Sequence, residues 1–539
     1  MPMVESPNLE SQCVSFASIP HTSRLFEDYL HHFDRVQQFF ARPPLKQDWW
    51  QDEISRIQYP ADRRARVADI LEKQNRDFGA GEKAFANIQR LRDGAPAVVT
   101  GQQVGLFGGP LYCLLKAVSA TIYAEKAGAV PVFWLATEDH DFDEISSINV
   151  PEGDHLKKFS LNVQHVEGAP VGNIVLGDET TAAIQQIQAI FGQSEVSAVL
   201  AAAYRKGETF GTAFGKFYAR IFAELGIVLL NPLDPALHHI AAPLYRAALE
   251  QAEPLTSALI ARGQELEKGG YHAQVNVTES HTLCFYVDPH GVRTPIRRDG
   301  EAYVAGHERF SASDILSEAE RCPERFSANV LLRPVVQDYL LPTLLYLGGP
   351  AEVAYFAQIE TVYRSIASRV TPILPRVFAT LVEARQAKLL QRYGLTLTDI
   401  FVPAEKLREE VATRALPNSI MKSFDFATEH LEQGIAAIHE PLEKLDRTLV
   451  DAAQNAASKM RYQLQALRDK AARAEARKNT ELQRHADELS TLLFPNKELQ
   501  EREVGALYFL LRYGVGVVSK IKDAAQTGCA EHQVIFLQS

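Results

Sequence analysis

The sequence predicts an α/β protein with a parallel β-sheet core, inserted segments and a long helical arm. Three stretches predict this class. Residues 97–144 read as strand, glycine loop, helix, strand and acidic loop, which is one βαβ unit. Residues 226–231 form an apolar run ending in Asn-Pro, typical of a buried parallel strand. Residues 431–492 place apolar side chains at heptad spacing, which predicts a coiled coil.

The composition is that of an ordinary globular protein of 539 residues, 46% hydrophobic and 23% charged, which allows more than one domain. The net charge of −11 disfavours a general nucleic-acid binder. No apolar run is long enough to span a membrane, and no signal peptide begins the chain. The five scattered cysteines form no CxxC pair, which favours a reducing compartment without a disulfide framework or a thiolate zinc site. We expect a cytoplasmic protein that binds neither nucleic acid nor membranes.

The order of elements predicts four regions. The N-terminal region has no alternation of apolar and polar residues and is broken by prolines, so it is predicted to be helical. The arm is the region that carries the heptad spacing. The seam of the arm could be buried by self-association or by folding back. Within the core, residues 335–347 are predicted to be a helix that follows a strand ending at Arg333. The regions are a helical N-terminal part (1–94), the core (95–395) with insertions at about 149–205 and 270–312, the coiled-coil arm (396–495), and a C-terminal helix and strand packing on the core (496–539).

The glycine loop of the βαβ unit leads into a helix that begins after Pro110. Glycines let the backbone approach a ligand, and a helix N-terminus favours an anion. The spacing matches neither GxGxxG nor a P-loop, so a tight turn with glycines for packing is the alternative. The predicted cofactor-binding residues are Thr100, Gly101, Gly105, Gly108, Gly109 and Lys116.

The acidic cluster, residues 138–144, follows a buried strand, where side chains of α/β enzymes commonly meet their ligand. An EF-hand is excluded, because Glu144 replaces the required glycine. The cluster could bind magnesium with phosphates or supply a general base, and a solvated acidic loop is the alternative. The predicted catalytic residues are Asp139, His140 and Asp141, and no protein-only metal site is predicted.

Arg333 and Arg376 each follow a predicted strand. Both could bind a substrate carboxylate, because a guanidinium group can donate two parallel hydrogen bonds to it. The alternative for each is a structural arginine. Gly348-Gly349-Pro350 repeats the earlier Gly-Gly-Pro and begins another helix, so two such ends could face one crevice. The predicted substrate-binding residues are Gln102, Gln103, Tyr112, Asn329, Arg333 and Arg376.

Several long motifs resemble the BshC family, the cysteine ligases of bacillithiol biosynthesis. In chain order they are TGQQVGLFGGPLYCLLKA, PVFWLATEDHDFDEI, GIVLLNPLDP, RFSANVLLRPVVQDYLLPTL, GGPAEVAYFAQI and ILPRV. The resemblance covers essentially the whole chain. It implies a Rossmann-like core similar to class I aminoacyl-tRNA synthetases, with connective-peptide insertions and a coiled coil that forms a homodimer.

The resemblance also implies an activity: the last step of bacillithiol biosynthesis, in which cysteine is joined to the amino group of glucosaminyl-malate. The implied cofactor is ATP with Mg²⁺, which would activate the carboxylate. The loop 100–109 occupies the place of the synthetase HIGH motif, although neither HIGH nor a full KMSKS is present. Arg333 or Arg376 would hold a malyl carboxylate, and Asp139, His140 or Asp141 would deprotonate the amine.

Two other functions are compatible with the residues. Asp139-His140-Asp141 is a DxD triplet, which a metal-dependent glycosyltransferase would use to hold a sugar nucleotide. A non-catalytic scaffold would use the coiled coil to recruit other proteins of the pathway.

Overall fold

A computed structural model describes residues 12–46, 48–367, 369–526 and 529–537, without the side chains of residues 476 and 478. The chain forms two compact units. Unit 1 holds the described residues up to Val150, Lys157–Thr380 and Glu501–Ile535, and unit 2 holds Pro151–Leu156, Leu381–Gln500 and the residues from Phe536.

The strands are short, and those of the parallel core sheet are buried along almost their whole length. They are β1 (Gln12–Val14), β2 (Ala97–Gln102), β3 (Val130–Leu135), β4 (Ser147–Glu152), β5 (His155–Ser160), β6 (Val228–Leu230), β7 (His281–Val287), β8 (Arg293–Asp299), β9 (Ala302–Ala305), β10 (Glu308–Ser311), β11 (Phe326–Ala328), β12 (Thr343–Gly348), β13 (Ile373–Pro375), β14 (Phe378–Glu383) and β15 (His532–Leu537).

The helices make up most of the remaining regular structure. They are α1 (Arg24–His31), α2 (Trp50–Arg56), α3 (Ala61–Phe78), α4 (Glu82–Arg92), α5 (Leu111–Ala127), α6 (Phe142–Ile145), α7 (Asp178–Phe191), α8 (Glu195–Ala203), α9 (Phe210–Ile221), α10 (Pro235–Glu250), α11 (Ala252–Lys268), α12 (Ala312–Arg321), α13 (Arg333–Leu340), α14 (Pro350–Ile366), α15 (Ala384–Tyr393), α16 (Leu397–Ile400), α17 (Ala404–Arg414), α18 (Asn418–Leu445), α19 (Thr448–Lys478), α20 (Thr480–Leu493), α21 (Gln500–Glu503), α22 (Ala506–Tyr513) and α23 (Val517–Ala525).

A five-stranded parallel sheet forms the core of unit 1, in the order β13-β12-β2-β3-β6. Its strands are apolar on both faces because helices cover both sides, as in α/β proteins generally. Every residue of β3 is buried. The predicted α/β class is confirmed, and the βαβ unit is present as β2, α5 and β3.

The prediction of a helix through residue 347 was wrong. Residues 343–348 form β12, which lies between β2 and β13 and is buried along its whole length. Helix α13 ends at Leu340, before Pro342. A short apolar run buried on both faces has no periodicity that separates strand from helix, so no local pattern marked residues 343–348 as a strand.

The order of the strands creates a crevice. From β2 the chain proceeds through β3 to β6 on one side, whereas β12 and β13 lie on the other. The chain therefore reverses its direction of travel between β2 and β12. In open α/β sheets, ligands bind outside the carboxyl ends of the strands at such a point.

A second sheet of unit 1 is antiparallel, with the order β10-β9-β8-β7-β11. Its first four strands lie within the predicted insertion at 270–312. The C-terminal segment also contributes to unit 1, since the Leu111 N–H donates to the Val504 carbonyl at 2.8 Å and the Ala506 N–H donates to the Gly109 carbonyl at 3.1 Å.

Unit 2 contains the predicted arm but starts earlier than residue 396. Helix α15 belongs to it because Arg385 and Tyr393 bind residues of α20, the latter through a 2.7 Å contact to His485. The heptad run is divided between α18 and α19. These helices pack on each other, with Arg461 Nε 2.6 Å from Glu432 Oε1, so the arm folds back within the chain.

The structure joins Cys13 to Cys529, whose Cα atoms are 6.2 Å apart. The prediction of no disulfide framework was wrong here. The two cysteines are 516 residues apart in the sequence, and only the pairing of β1 with β15 brings them together. Among the described helices, none is long and apolar enough to cross a membrane.

Candidate functional site

Two adjoining cavities open at the carboxyl ends of the core strands in unit 1. Cavity A, about 460 Å³, lies between the end of β2 and the start of α14. Cavity B, about 440 Å³, lies between the acidic cluster and the antiparallel sheet. The two share wall residues: Gln103, Trp134, Ala136, Val275, Val330 and Arg333. The cavities therefore meet at a common boundary.

The lining contains most of the predicted site residues. Cavity A is lined by Gly101, Gln102, Gln103, Tyr112, Lys116, Arg333 and Arg376. Cavity B is lined by Gln103, Asp139, His140, Asn329 and Arg333.

Lys116 lies at the floor of cavity A and is held by three acceptors. Its Nζ is 2.9 Å from Glu352 Oε2, and it donates to the Gly101 carbonyl and to Gln102 Oε1, both at 2.7 Å. Burial lowers the pKa of Lys116, and the Glu352 carboxylate opposes that shift. With these partners, Lys116 orders the end of β2, and its three N–H bonds are already used.

Glu352 links the start of α14 to the same network. Its Oε2 accepts from the Gly349 N–H at 2.7 Å, and its Oε1 accepts from the Tyr346 hydroxyl at 2.6 Å. Burial acts to raise the pKa of Glu352, but Lys116 and these donors hold it below its usual value. Sequence reasoning missed Glu352, although a Glu at the third helical position is the signature of a capping box.

Arg376 is less available than predicted. Its two Nη atoms bind the Glu501 carboxylate at 3.0 and 2.6 Å, and both side chains are almost fully buried. Bidentate binding of a substrate carboxylate is therefore precluded, because the guanidinium fork is occupied. Arg376 Nε has no hydrogen-bond partner and lies beside Gly349, so one N–H remains for an anion in cavity A.

Arg333 stands where the two cavities meet. Its Nη2 donates to the Tyr355 hydroxyl at 2.9 Å, its Nη1 donates to Gln337 at 3.2 Å, and its guanidinium lies over the Tyr346 ring. Asn329 caps the turn that precedes α13, since its Oδ1 accepts from the N–H groups of the two residues before Arg333, each at 3.0 Å. The Asn329 carbonyl group is therefore used to shape the loop.

Asp139 and His140 meet in cavity B with Arg293, which sequence reasoning missed. Arg293 Nη1 lies 2.9 Å from His140 Nδ1 and 3.7 Å from Asp139 Oδ1. A guanidinium can only donate, so His140 Nδ1 is the acceptor in this contact. Arg293 lies in an insertion strand with no motif around it, which left no sequence signal.

Asp139 is held as a carboxylate by its donors. Gln103 Nε2 and the His140 N–H both donate to it. Burial acts to raise the pKa of Asp139, but these hydrogen bonds and Arg293 hold it well below its usual value. A carboxylate with so low a pKa is a weak base.

Asp141 lies outside both linings. It is exposed and caps α6, where its Oδ1 accepts from the Glu144 N–H at 3.1 Å. This geometry weakens the DxD interpretation, because a metal ligand pair requires both carboxylates at one point. Within the described residues, no group of three or more His, Cys, Asp or Glu side chains could hold a metal ion.

Three glycines of the loop lie against other protein atoms, either side chains or backbone. A Cβ on Gly108 would lie 2.8 Å from the Phe217 ring, and one on Gly105 would lie 2.9 Å from Gly109 Cα. Gly109 adopts a φ of 70°. Thr100 is fully buried and donates to the Leu347 carbonyl at 2.9 Å. These positions are occupied by packing and internal hydrogen bonds, which do not favour the predicted cofactor-binding role of these four residues; that role stays a prediction.

The same observations test the fit of ATP. The Gly108 N–H donates to the Tyr204 hydroxyl at 3.1 Å and the Gly109 N–H donates to the Leu106 carbonyl at 2.9 Å, so neither is left for a phosphate. Lys116 is also fully engaged. The phosphate cradle predicted from the glycines does not fit the group. No reaction step is derived through a nucleotide here.

The comparisons with known proteins agree with this architecture. Residues 9–377 match the family model "Bacillithiol biosynthesis BshC, N-terminal Rossmann-like domain", and residues 379–537 match "Bacillithiol biosynthesis BshC, C-terminal coiled-coil domain".

Three relatives named "Putative cysteine ligase BshC" align over nearly their full lengths. The Koribacter versatilis protein is 46% identical over 97% of this chain and 99% of its own. The Solibacter usitatus protein is 36% identical over 97% and 99%. The Salinibacter ruber protein is 34% identical over 95% and 96%. With both domains matched and identities of this size across the whole length, the chain belongs to the BshC family of bacillithiol biosynthesis.

Proposed function

We propose that this chain is an amide-forming ligase that joins the carboxyl group of cysteine to the amino group of glucosaminyl-malate, the last step of bacillithiol biosynthesis. The observation that carries the proposal is the pair of adjoining cavities with different polar groups. Cavity A has the start of a helix and Arg376 Nε in its wall, and cavity B has Asp139 and His140. A ligase must hold two substrates side by side, and the two cavities meet at Arg333.

Cavity A suits the malyl end of glucosaminyl-malate, which carries two carboxylates. Arg333, Arg376 and Arg502 line it, and α14 points its N-terminus at it through Pro350 and Ala351. Guanidinium groups and helix N-termini both stabilise carboxylates. Lys116 and Glu352 hold this wall rigid by pairing with each other.

The chain's own residues would then guide the attack of the amine on the cysteine carbonyl. Attack on the activated carboxyl group forms an N–C bond and leaves a positive charge on the nitrogen. The C–O bond to the activating group then breaks, that group leaves with the bonding electrons, and the nitrogen releases a proton to give the amide. The Asp139 carboxylate, kept ionised by Gln103, would stabilise the positive charge on the nitrogen, and Arg293 would fix the His140 ring. We therefore propose Asp139 as an electrostatic catalyst rather than as the general base. The roles of His140 and Asp141 as bases stay predictions.

Activation of the cysteine carboxylate requires an energy source. ATP remains the cofactor implied by the family, and no residue here is assigned to it. The decisive experiment incubates purified protein with cysteine and glucosaminyl-malate, with and without ATP. Mass spectrometry then measures bacillithiol and either AMP or ADP.

The matched variants are Asp139→Asn and Asp143→Asn, the latter an exposed carboxylate outside both linings. We expect D139N to reduce product formation by about 10²-fold or more, the usual size of an electrostatic contribution, and D143N to leave it unchanged. Absence of bacillithiol under every condition, with the protein folded and both substrates present, would sink the proposal. Equal activity of D139N and the wild type would remove Asp139 from the mechanism only.

We also propose that the arm forms a homodimer. Helix α18 has no buried residue in the single chain, and Phe426 and Leu445 are 61% and 76% exposed. Apolar side chains exposed along a coiled-coil helix require a partner surface. Light scattering should give twice the mass of 59.9 kDa, and Leu445→Glu should give the monomer mass. A monomeric wild type at micromolar concentration would contradict the dimer.

A further inference from the structure

Glu138 is a buried carboxylate for which the described structure supplies no hydrogen-bond donor. It is 8% exposed and lines cavity B. The ring nitrogen His238 Nε2 is 3.6 Å from Glu138 Oε1, too far for a hydrogen bond. Oε1 is buried without a partner. Burial of an unpaired carboxylate is costly, so such a group calls for an explanation.

A second acceptor without a donor lines the same cavity. Gln103 donates its Nε2 to Asp139, which fixes the orientation of the amide and leaves Oε1 as the other end. Gln103 Oε1 is also buried without a partner. Cavity B therefore has a carboxylate oxygen and an amide oxygen that both lack a hydrogen-bond donor. By contrast, Arg293 has three good acceptors, in Ser327, Ala328 and His140.

We infer that Glu138 and Gln103 form an ammonium subsite in cavity B, which holds the α-ammonium group of the cysteine substrate. A primary ammonium has three N–H donors and a positive charge, which match one carboxylate and one amide oxygen. This inference rests on the proposed ligase function for the identity of the amino acid.

The chemistry of the ligation selects which amine belongs there. The amine of glucosaminyl-malate must be neutral to attack, whereas the α-amine of cysteine must not react. A nearby carboxylate favours the charged, unreactive form of whichever amine is bound there. It therefore suits the amine that is to be protected. Cysteine held in this way would direct its carboxylate toward Arg333, at the boundary with cavity A.

The charges of the cavity are compatible with a zwitterion. Glu138 and Asp139 supply carboxyl groups to the cavity, and Arg293, Arg297 and Arg333 supply guanidinium groups, so both ends of an amino acid find groups of opposite charge. Burial raises the pKa of Glu138, and a bound ammonium would favour its ionised form. A substrate without the ammonium would leave Glu138 unpaired.

The test is a binding comparison by calorimetry on the full-length protein, without ATP or turnover. The probes are cysteine and 3-mercaptopropionic acid, which is cysteine without its amine. The variants are Glu138→Gln, which keeps the size of the side chain, and Asp143→Asn as the exposed control. Thermal melts establish that each variant is folded.

We expect the wild type and D143N to prefer cysteine by about 10- to 100-fold, the usual worth of a charged hydrogen bond. E138Q should lose most of that preference by binding cysteine more weakly, while its affinity for 3-mercaptopropionic acid is unchanged or improved. In the ligation assay, E138Q should raise KM for cysteine and leave KM for glucosaminyl-malate unchanged.

Other results would overturn the inference. Equal binding of the two probes by the wild type, or no binding of cysteine at all, would exclude an ammonium subsite for cysteine. If E138Q lowered kcat with unchanged cysteine affinity, Glu138 would be a base instead. If E138Q weakened only glucosaminyl-malate, the subsite would hold the other amine. If cysteine bound with the expected preference but no ligation occurred, the subsite would stand and the proposed function would fail.

Discussion

The pair formed by Arg376 and Glu501 gives a sharp prediction about stability. Both side chains are at least 95% buried, and the Glu501 carboxylate accepts two guanidinium N–H groups and the Ala379 N–H at 3.1 Å. Glu501→Gln keeps the size of the side chain but leaves a buried guanidinium without its counter-charge. Loss of one partner of a buried pair costs about 3–5 kcal/mol of the free energy of unfolding.

The double variant Arg376→Met/Glu501→Leu should cost less than the single one. It removes both charges and leaves the Ala379 N–H unpaired, which costs about 1–3 kcal/mol. Urea unfolding followed by tryptophan fluorescence is the assay, because the three tryptophans, at positions 49, 50 and 134, all lie in unit 1. A single-variant cost below about 1 kcal/mol, well under the range for a broken buried pair, would refute the reasoning. So would a double variant no more stable than E501Q.

Three further predictions use other features of unit 1. Burial raises the pKa of Cys113 and of Cys284 to about 12, so iodoacetamide at pH 8 should leave both unmodified in the native protein and modify both in urea, as read by peptide mass spectrometry. Gly108→Ala should cost about 2–5 kcal/mol in thermal unfolding, because its φ is 94° and a side chain would strike an aromatic ring, whereas Gly291→Ala, with φ 83° and open space, should cost about 1–2. Burial acts to raise the pKa of Glu501, but Arg376 holds that pKa below its usual value. The stability that Glu501 contributes is therefore complete above about pH 4.3, the pKa of an unperturbed Glu, and is lost as the pH falls through the pKa of the folded state. The stability difference between wild type and E501Q should therefore be constant from about pH 6 to 8 and shrink below about pH 4, as measured by urea midpoints; a difference that grows in acid would contradict the assignment.

The sequence predicted those elements of the core that have clear ends. Pro110 and Gly128 enclose α5, and its bounds follow from them. The strand β12 was missed because its two buried faces erase any period, even though it lies beside β2 in the sheet. Local signals therefore located the helices better than they located the strand that completes the crevice.

The candidate site shows the same division. Gln103 and Asp139 follow the ends of strands, and they were predicted because ligands bind at the carboxyl ends of the strands in open α/β sheets. Glu138 was part of the recognised acidic cluster, but nothing in its spacing shows that it is buried beside His238. Arg293 comes from a distant insertion strand, and Glu501 from beyond the arm, so neither could be assigned before the fold was known. Glycines near a helix start proved ambiguous, because packing and phosphate binding require the same absence of a side chain.

The hydrogen bonds that join Leu111 to Val504 and Ala506 to Gly109 also bear on how the protein is made. Gly109 and Ala506 are separated by about 400 residues of sequence. A ribosome that adds about 5–20 residues per second needs roughly 20–80 s to cover that distance. Throughout this interval the nascent turn lacks its last backbone partners. The Arg376 guanidinium, once made, lacks its counter-ion until Glu501 follows 125 residues later. The crevice is therefore completed only near the end of translation, which makes the emerging chain a candidate client for chaperones and makes truncation after the arm more damaging than its distance from the glycine turn would suggest.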